Sequence, residues 1–585
     1  MVHRPGIKQY ILLFITALIA IIAECYPLLN EATALTGKHF ISRLGFLSVE
    51  SLTILLPYWL LPRKWRCSIL IPVWLMALWF IGSIWYYRFW LELPDVSALL
   101  LVDNLNSELF NSTIGLWKAT DLLILLIPVA ATIIYRLWLK TGAESCILPA
   151  KFKITAIAST LAIYAIAFVG YTVHCRRFLR SEGVDMKFSA ATSFRLAHAN
   201  LSPISSLKMN GIVSHFLYST AYLYEVLTVN RELSDAENAR INEFISNSDF
   251  PDVLPDSVRN LNAGKNVILI IVESLNSSVV HTDYKGRPIA PTVRALAESA
   301  SSVTALDVET QVCQGGSGDG QLIANTGLLP LPRFSTSILL GSKNTFPSLA
   351  RMLHRKSSLV IFADANLSWN ETGTFQNMGF DRHMCNTEYQ QLLHALGSDA
   401  AMFAVADSLI PTLKQPFFLE LLTTSMHIPF DDPEVPESMK PDWIGPDSSL
   451  PPMMLNYYRM VSYFDTALAR FIESLKARGL YENTLLVLVS DHSQDVLHES
   501  ESEPERMVFI AANTGLTQTI DRRVGQIDVY PTILHLAGTN DSIPWKGVGT
   551  SLLGPAPTQQ CRASAKEISE LILRGDFFRG KICSE

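Results

Sequence analysis

The sequence predicts a membrane-anchored α/β protein, in which an N-terminal bundle of five transmembrane helices precedes an α/β domain with a largely parallel sheet. Hydrophobic residues make up 49% of the 585-residue chain and charged residues only 17%, against about 25% charged residues in soluble domains. The long apolar runs are confined to the first third of the chain. From Lys265 onward, apolar strand patterns alternate with helix patterns, and this alternation predicts the parallel sheet.

Five apolar runs are candidate transmembrane helices, because most of them approach the roughly 20 residues that a helix needs to cross a bilayer. The second run is the weakest candidate, since it is short and contains Glu50. The runs are Tyr10–Leu28, Leu47–Leu61, Ile69–Tyr87, Leu122–Trp138 and Ile154–Val173.

The basic residues between these runs predict the orientation of the chain. Arg63, Lys64 and Arg66 follow the second run, whereas the loop after the third run is acidic, with Lys118 near its end. The positive-inside rule then places the N-terminus in the cytoplasm and everything after Val173 outside. Three arginines that closely follow the fifth run disagree with this orientation, and we expect them to meet lipid phosphates.

We therefore divide the chain into a transmembrane domain (1–173), a partly helical connector (174–264) and an outer α/β domain (265–585). The strands predicted in the outer domain are Asn266–Val272, Leu359–Ala363, Phe417–Leu422, Leu485–Ser490 and Met507–Ala511. The helices predicted between them are Pro291–Ala300, Pro347–His354, Ala400–Leu413, Tyr457–Ala477 and Asp528–Ala537. A formal net charge of −7 argues against a nucleic-acid partner, because phosphate binding needs clustered lysine and arginine.

Metal-ligand side chains follow two of the predicted strands. The run LLVLVSDH ends in Asp491 and His492, and the run NVILIIVE ends in Glu273. In open α/β sheets, ligands bind beyond the carboxyl ends of the strands. Carboxylates beside an imidazole suit a divalent cation there. The alternative is that Glu273 and Asp491 cap the turns that follow and that His492 lies on the surface.

Two other segments carry side chains that can take part in catalysis. The glycine-rich loop GGSGDGQ precedes a helix-compatible run, so Ser317 is either the helix N-cap or a nucleophile. His427 follows the strand FFLELL, where an imidazole can transfer a proton or hold a phosphate oxygen. The alternative for His427 is a histidine in a surface loop.

Cysteines give little guidance. Four of the eight cysteines fall in the outer domain, where disulfides are permitted. The pairs Cys313 with Cys385 and Cys561 with Cys583 are compatible with the sequence, but spacing alone cannot fix the connectivity.

These motifs together resemble the lipoteichoic acid synthase and phosphoglycerol transferase branch of the sulfatase-like, alkaline phosphatase superfamily. The resemblance covers the apolar runs, the connector and the outer domain to about Leu553, including the segment QIDVYPTILHLAG at Gln526–Gly538. It implies an alkaline-phosphatase-like fold for the outer domain. It also implies a multi-pass protein of the bacterial cell (inner) membrane whose catalytic domain is extracytoplasmic, or periplasmic.

The resemblance also implies roles for individual residues. Ser317 matches the family's nucleophile, and His427 matches a histidine that contacts the substrate. The implied ligands of one divalent metal ion (manganese, magnesium or zinc) are Glu273, Ser317, Asp491 and His492. Trp369 and Asn370 match the first two residues of a Trp-Asn-Arg segment that binds the head group.

Three departures from the family's pattern bear on these roles. The family commonly has threonine as its nucleophile where this chain has Ser317, and Glu371 stands in place of the phosphate-binding arginine. The chain also has no Cys/Ser-x-Pro-x-Arg segment, so the formylglycine chemistry of true sulfatases is not expected.

The function implied by the resemblance is transfer of a phosphoglycerol-type head group. The donor would be a membrane phospholipid, the intermediate a phosphoseryl ester, and the acceptor a hydroxyl of a glycan, a glycolipid or a growing polymer. The alternatives are a phosphoethanolamine transferase, a membrane-anchored phosphodiesterase or sulfatase-like hydrolase, and a pseudoenzyme scaffold. The phosphoethanolamine branch typically carries several paired cysteines, so the cysteine content favours glycerol phosphate.

Overall fold

The computed structural model describes two parts of the chain. In the first part it describes residues 63–90 and 118–140 together with isolated residues between 15 and 224. In the second part it describes residues 231–247 and 261–582. The gaps within the second part are 314, 333–334, 363–367, 386–387, 389–397, 433–434, 446, 448, 495–504, 540–542 and 557–558.

The chain separates into two compact units. The first comprises residues 1–99 and 107–224, and the second comprises residues 100–106 and 225–585.

Two described helices in the first unit are long and apolar enough to cross a membrane, Cys67–Arg88 and Ala119–Leu137. They overlap α1 (Leu70–Trp90) and α2 (Leu126–Lys140), each of which is preceded by a 3-10 turn, Arg63–Ile69 and Ala119–Leu125. These helices fall on the third and fourth predicted runs. The first, second and fifth runs lie largely outside the described residues, so a bundle of five helices stays a prediction.

Exposed apolar side chains and paired charged groups in this unit are what contact with lipid requires. Leu75 and Leu126 are 60% and 61% exposed, and exposed apolar faces of this kind are expected to meet acyl chains. The charged groups pair instead: the Arg88 guanidinium donates to both carboxylate oxygens of Asp121, at 2.7 and 2.9 Å. Trp85 donates to the same carboxylate at 3.1 Å. This bidentate pair joins α1 to the turn before α2.

The described residues of the second unit form a nine-stranded sheet in the order β10-β4-β9-β8-β1-β7-β5-β6, with β11 paired to β4. Strands β2 and β3 form a separate hairpin. The strands are β1 Asn266–Val272, β2 Asp283–Tyr284, β3 Arg287–Pro288, β4 Ser302–Glu309, β5 Ser357–Phe362, β6 Arg382–Cys385, β7 Phe417–Leu422, β8 Thr484–Ser490, β9 Met507–Ala512, β10 Gln518–Ile520 and β11 Val524–Gly525.

The sheet is mostly parallel, as the sequence predicts. Strand β1 pairs in parallel with both β7 and β8, while β9 runs antiparallel to β8 and β4. Every residue of β1, β7 and β8 is buried. Successive side chains of a strand point to opposite faces, so both faces of the sheet are covered.

The helices around this sheet form two groups, and the contacts lie within each group. One group consists of α4, α9 and α10, and the other consists of α5 to α8 with α11. Helix α12 contacts α3. The helices are α3 Asp235–Asn247, α4 Pro291–Ala297, α5 Gly316–Thr326, α6 Thr336–Leu340, α7 Leu349–Met352, α8 Glu371–Met378, α9 Asp399–Leu409, α10 Pro452–Ala477, α11 Val529–Leu536 and α12 Gln559–Gly575.

Glu420 is an ionisable residue in the middle of β7 that the sequence analysis did not single out. Its side chain is fully buried, and its Oε1 accepts a hydrogen bond from Asn325 Nδ2 at 2.7 Å. Burial raises the pKa of this carboxyl group to about 8. The folded state therefore favours the protonated acid over a wide range of pH.

We expect this burial to make stability fall as pH rises. An acid whose folded-state pKa is raised stabilises the fold fully below its unfolded pKa, and this contribution is lost as pH rises through the folded pKa. Glu420→Gln keeps the acceptor for Asn325 without a charge. Its melting temperature should match that of the wild type near pH 4 and exceed it by about 5 °C or more at pH 8.5.

Thermal unfolding of the detergent-solubilised chain across this pH range measures the effect. The exposed Glu482 provides a matched control, and Glu482→Gln should not change the pH profile. Equal melting temperatures for Glu420→Gln and wild type at pH 8.5 would show that Glu420 is not held protonated.

Candidate active site

The predicted metal ligands meet at the carboxyl ends of β1 and β8. Glu273 directly follows β1, Asp491 follows β8, and the two strands are paired in register along their length. Together with His492 they form a group in which one donor atom from each residue lies within 4.8 Å of the others. Glu273 and Asp491 are 4% and 2% exposed. The structure thus brings together three of the side chains that the sequence predicted as ligands.

His492 presents Nε2 to this group. Its Nδ1 lies 3.1 Å from the carbonyl oxygen of Ser493. A carbonyl only accepts, so Nδ1 carries the proton and Nε2 has a lone pair. Nε2 lies 3.6 Å from Glu273 Oε1 and 3.5 Å from Asp491 Oδ2. This tautomer is the one that a metal-binding imidazole needs.

Ser317 completes the cluster from the first turn of α5. Its Oγ donates to Glu273 Oε2 at 3.0 Å and lies 3.5 Å from His492 Nε2. Three distances to Nε2 therefore fall between 3.5 and 3.6 Å. Ligands about 2.0–2.2 Å from a tetrahedral cation are separated by about 3.3–3.6 Å. The donor set and its spacing therefore fit a divalent metal ion.

Ser317 is not the N-cap of α5, which settles one alternative left open by the sequence. The N-cap is Gly315, and Asp319 accepts the preceding backbone N–H groups of Cys313 and Gly315, both at 2.9 Å. Burial raises the pKa of Asp319 to about 7. The serine hydroxyl is left to contact Glu273, at a helix N-terminus whose dipole favours negative charge.

The electrostatics of the metal-ligand group favour a cation. Burial and the neighbouring carboxylate of Glu273 both raise the pKa of Asp491. Like charges at this distance destabilise each other in a site with little water. A bound divalent cation would remove this repulsion.

Several residues that the sequence analysis missed hold the predicted ligands in place. Asp491 Oδ1 accepts from the backbone N–H of Ser274 at 2.8 Å and from that of His492 at 2.7 Å. Ser274 has a positive φ of 52°, and its hydroxyl donates to Glu273 Oε1 at 2.6 Å. Tyr457 donates to the Ser274 carbonyl at 2.8 Å. In the sequence, the one sign of these hydrogen bonds is the serine at position 274, directly after the predicted ligand Glu273.

The His427 loop lies at the same edge of the sheet. It follows β7, which is the other neighbour of β1, and the backbone N–H of Glu273 donates to Thr423 Oγ1 at 3.0 Å. His427 Nδ1 lies 2.9 Å from the carbonyl oxygen of Ile428, so this imidazole also has its lone pair on Nε2. Asp399 Oδ1 accepts from Thr424 N and Ser425 N and so orders the loop. The role of His427 stays a prediction.

The predicted head-group residues differ in how they lie. A Cβ atom added at Gly318 would be 3.3 Å from Trp369 Cβ, so Trp369 lies against the first turn of α5. Asn370 bonds instead to the protein, donating to Ser337 O at 2.9 Å and accepting from Ser342 at 2.8 Å. Glu371 is 2% exposed and accepts from Gln321 at 2.9 Å. This carboxylate is therefore turned into the protein.

Cys313 and Cys385 are not bonded to each other, so the pairing considered for them is wrong. Cys385 is buried at the end of β6 and Cys313 lies in the loop before α5. The side chains of Cys561 and Cys583 lie outside the described residues.

Gly320 lies where α5 contacts the backbone of the loop that carries the predicted ligands Asp491 and His492. A Cβ atom at this position would lie 2.3 Å from the Asp491 carbonyl oxygen and 2.9 Å from its carbon. Both atoms belong to the backbone, so the clash can be relieved only by moving α5 or Asp491. No side chain larger than hydrogen fits here.

We expect Gly320→Ala to lower the free energy of unfolding by about 2–3 kcal/mol and to weaken metal binding about tenfold or more. Gly445→Ala is the matched control, because its nearest atom would be Asp442 O at 3.9 Å. Unfolding in denaturant and metal titration of both variants measure the effect. Metal affinity equal to wild type in Gly320→Ala would contradict this coupling.

Residues 265–539 match the Sulfatase family model. Lipoteichoic acid synthase 1 of Bacillus subtilis strain 168 is 27% identical over 313 residues, which cover 49% of this chain and 48% of that protein. Lipoteichoic acid synthase of Staphylococcus aureus strain USA300 is 27% identical over 319 residues, which cover 50% and 48%. The chain thus matches about half the length of these curated relatives.

A solved structure resembles the whole chain. It is the integral membrane protein lipooligosaccharide phosphoethanolamine transferase A from Neisseria meningitidis, which is 13% identical. The match covers 93% of this chain and 97% of that chain, with a TM-score of 0.54. At this identity the likeness shows the fold alone.

Proposed function

We propose that this chain is a phosphotransferase. Its residues 265–539 match the Sulfatase family model, and the chain resembles the lipoteichoic acid synthases. It transfers a phosphoglycerol-type head group from a membrane phospholipid to an acceptor hydroxyl outside the cytoplasm. The observation that carries the proposal is the convergence of the Ser317 hydroxyl with Glu273 Oε2, at 3.0 Å, and His492 Nε2, at 3.5 Å.

The proposed first step forms a bond between Ser317 Oγ and the lipid phosphorus. The serine proton is directed at Glu273, since Oε2 of that residue accepts its hydrogen bond. The bond between phosphorus and the diacylglycerol oxygen breaks, and diacylglycerol leaves with a proton. The head group remains on Ser317 as a phosphoseryl ester.

In the second step the acceptor hydroxyl attacks the phosphorus of this ester, and the serine oxygen leaves and regains a proton. His427 is the proposed group that exchanges this proton or holds a phosphate oxygen, because its lone pair is on Nε2. A divalent cation held by Glu273, Asp491, His492 and Ser317 would supply Lewis-acid stabilisation of the serine alkoxide. Manganese, magnesium and zinc are the proposed candidates.

The head group is assigned from two features of the chain. The curated relatives are named lipoteichoic acid synthases, and Cys313 and Cys385 are both free, so these two residues do not form a cysteine pair of the kind that would favour phosphoethanolamine transfer. Glu371, buried against Gln321, does not replace a phosphate-binding arginine. Trp369, beside Gly318, is the proposed contact with the head group, and Asn370 the proposed support of its loop.

The proposed setting is the bacterial cell (inner) membrane. The two membrane-spanning helices, with the remaining predicted spans, would hold the domain at the extracytoplasmic, or periplasmic, face where lipid donors are concentrated. A water molecule as acceptor would make the same centre a phosphodiesterase.

Mass spectrometry of the intact chain after incubation with mixed phospholipids tests the proposal. We expect a glycerol phosphate adduct on Ser317 and release of diacylglycerol. An ethanolamine phosphate adduct would change the head group and keep the mechanism. Turnover of lipid with an adduct on another residue, or turnover that Ser317→Ala leaves intact, would contradict it.

A further inference from the structure

A second cleft lies in the outer domain, apart from the metal-ligand group. It has a volume of about 390 Å³, within the roughly 300–1,000 Å³ of small-ligand sites. We call it the Trp443 cleft, and the lining residues that define it here are Arg287, Asp442, Trp443, Ser462, Asp465 and Thr466.

The walls of the Trp443 cleft come from the segments that also carry the candidate active site. Arg287 lies in the connection that follows β1 and Glu273, and Trp443 lies in the connection that follows β7 and His427. The third wall is α10, whose Tyr457 contacts the Ser274 carbonyl. Ser462 and Thr466 lie about 7 and 13 Å further along this helix. The cleft and the centre are therefore built on the same connections and the same helix.

An aromatic and guanidinium platform forms one side of the cleft. The Arg287 guanidinium lies 4.3 Å from the centre of the Trp443 ring. Tyr284 supports the indole, with ring centres 6.2 Å apart, and its hydroxyl donates to the Gly445 carbonyl at 3.1 Å. Within the described part of the chain Arg287 makes no ion pair, so its N–H groups remain directed at solvent or ligand.

The charges of the cleft balance one another. Lys440 is paired with Asp431 at 2.6 Å and with Glu437 at 2.9 Å. Asp465 accepts from the backbone N–H groups of Thr292 and Val293, which begin α4. Arg287 and Asp442 remain, with opposite signs. An anion would meet the carboxylate of Asp442, whereas a neutral ligand with several hydroxyls can use both groups.

We infer that the Trp443 cleft binds a neutral sugar of the acceptor, so that the acceptor is a glycan or a glycolipid. Sugar hydroxyls both donate and accept, as does the hydroxyl of Ser462. Thr466 Oγ1 donates to the Ser462 carbonyl at 2.9 Å and so offers a ligand an acceptor, while Arg287 donates and Asp442 accepts. The apolar face of a pyranose ring suits an aromatic platform. This inference rests on the proposed function, because it names the acceptor for that reaction.

Calorimetric titration of the full-length protein in detergent tests the inference. The probes are a panel of neutral disaccharides with gluco, galacto and N-acetylated rings, and glycerol 1-phosphate as the anionic probe. We expect at least one disaccharide to bind, and we expect Trp443→Ala to leave the binding of glycerol 1-phosphate, which the proposed active site accounts for, unchanged. Trp443→Ala should weaken that disaccharide about tenfold, and Trp443→Phe, which keeps a ring, should remain within about threefold of wild type.

Arg382→Ala is the matched control, because Arg382 is exposed on β6 and its guanidinium donates to Thr412, away from the residues that line the cleft. It should bind sugar as the wild type does. Absence of binding by every disaccharide, unchanged disaccharide binding in a folded Trp443→Ala, or an equal loss of glycerol 1-phosphate binding in Trp443→Ala would overturn the inference.

The same titration in the Ser317→Ala background separates this inference from the proposed function. Sugar binding needs no nucleophile and should persist there. Sugar binding without transfer of a head group to Ser317 in the wild type overturns the function alone. Transfer of a head group without sugar binding overturns the cleft alone.

Discussion

Ser317→Ala is expected to lower the rate of head-group transfer about 10⁴-fold or more while leaving metal binding largely intact. The reason is that the variant lacks the oxygen to which the head group is transferred, whereas Glu273, Asp491 and His492 keep their donor atoms. Release of diacylglycerol from lipid, followed by chromatography, measures the rate. Metal content of the same preparations shows whether the centre survives.

Ser274 supplies a demanding control for this result. Its hydroxyl donates to Glu273 Oε1 at 2.6 Å, while that of Ser317 donates to Oε2 of the same carboxylate. Ser274 is fully buried, so its oxygen is out of reach of a lipid. Ser274→Ala should reduce transfer about tenfold at most, and Ser317→Thr, which keeps a hydroxyl, should retain measurable transfer. A loss in Ser274→Ala as large as that in Ser317→Ala would contradict the assignment.

Asp491→Asn is expected to abolish metal binding without unfolding the chain. The asparagine oxygen can still accept from the backbone N–H groups of Ser274 and His492, which hold Asp491 in place. Without metal, the variant should melt at or above the temperature of the wild type, because the repulsion with Glu273 is removed. Loss of metal binding with an unchanged or higher melting temperature would identify Asp491 as a metal ligand and not as an acid that only stabilises the fold.

Metal titration supplies the second half of this test. A cation at 100 times its dissociation constant stabilises the wild type by about 2.7 kcal/mol, and Asp491→Asn should show no such rise. Asp307→Asn is the control, since Asp307 is 40% exposed and pairs with Arg506 and Arg523 instead. A metal-dependent rise that persists in Asp491→Asn would show that the metal binds elsewhere.

Much of the sheet follows from hydrophobic pattern alone. The ranges predicted for β1 and β7 match the structure residue for residue, because a strand buried on both faces is a largely apolar run, interrupted in β7 by Glu420 alone, and is followed by polar residues. β4, with the sequence SVTALDVE, was missed, since polar residues interrupt its apolar pattern. It pairs antiparallel with β9 and is buried through that tertiary contact.

Helix boundaries were predicted less well than strands. The structure begins α10 at Pro452, five positions before the predicted start, because proline fits the first turn of a helix. Helix α12 was missed altogether, although its polar and apolar residues separate into two faces. The predicted helix Pro347–His354 shortens to Leu349–Met352, since Ser348 provides its N-cap in extended conformation.

For the candidate site, the sequence predicted the side chains that could bind a metal better than the residues that hold those side chains in place. Residues at strand ends can be placed at one edge of a sheet from strand order, so Glu273, Asp491 and His492 were found together. Tyr457 could not have been found in this way. It lies in the second turn of α10, 184 positions after Glu273 in the chain, and only the packing of that helix against the Ser274 carbonyl reveals its contact.

The contact between Gly320 and the Asp491 carbonyl has a consequence for how relatives of this chain can diverge. The helix that carries the proposed nucleophile and the loop that carries two of the proposed metal ligands are in backbone contact there, so neither can move alone. A substitution at 320 survives only if the segment around 491 changes in the same lineage. We expect these two segments to vary together among relatives, or not at all. The Trp443 cleft lies outside this contact, so its residues can change when the acceptor changes.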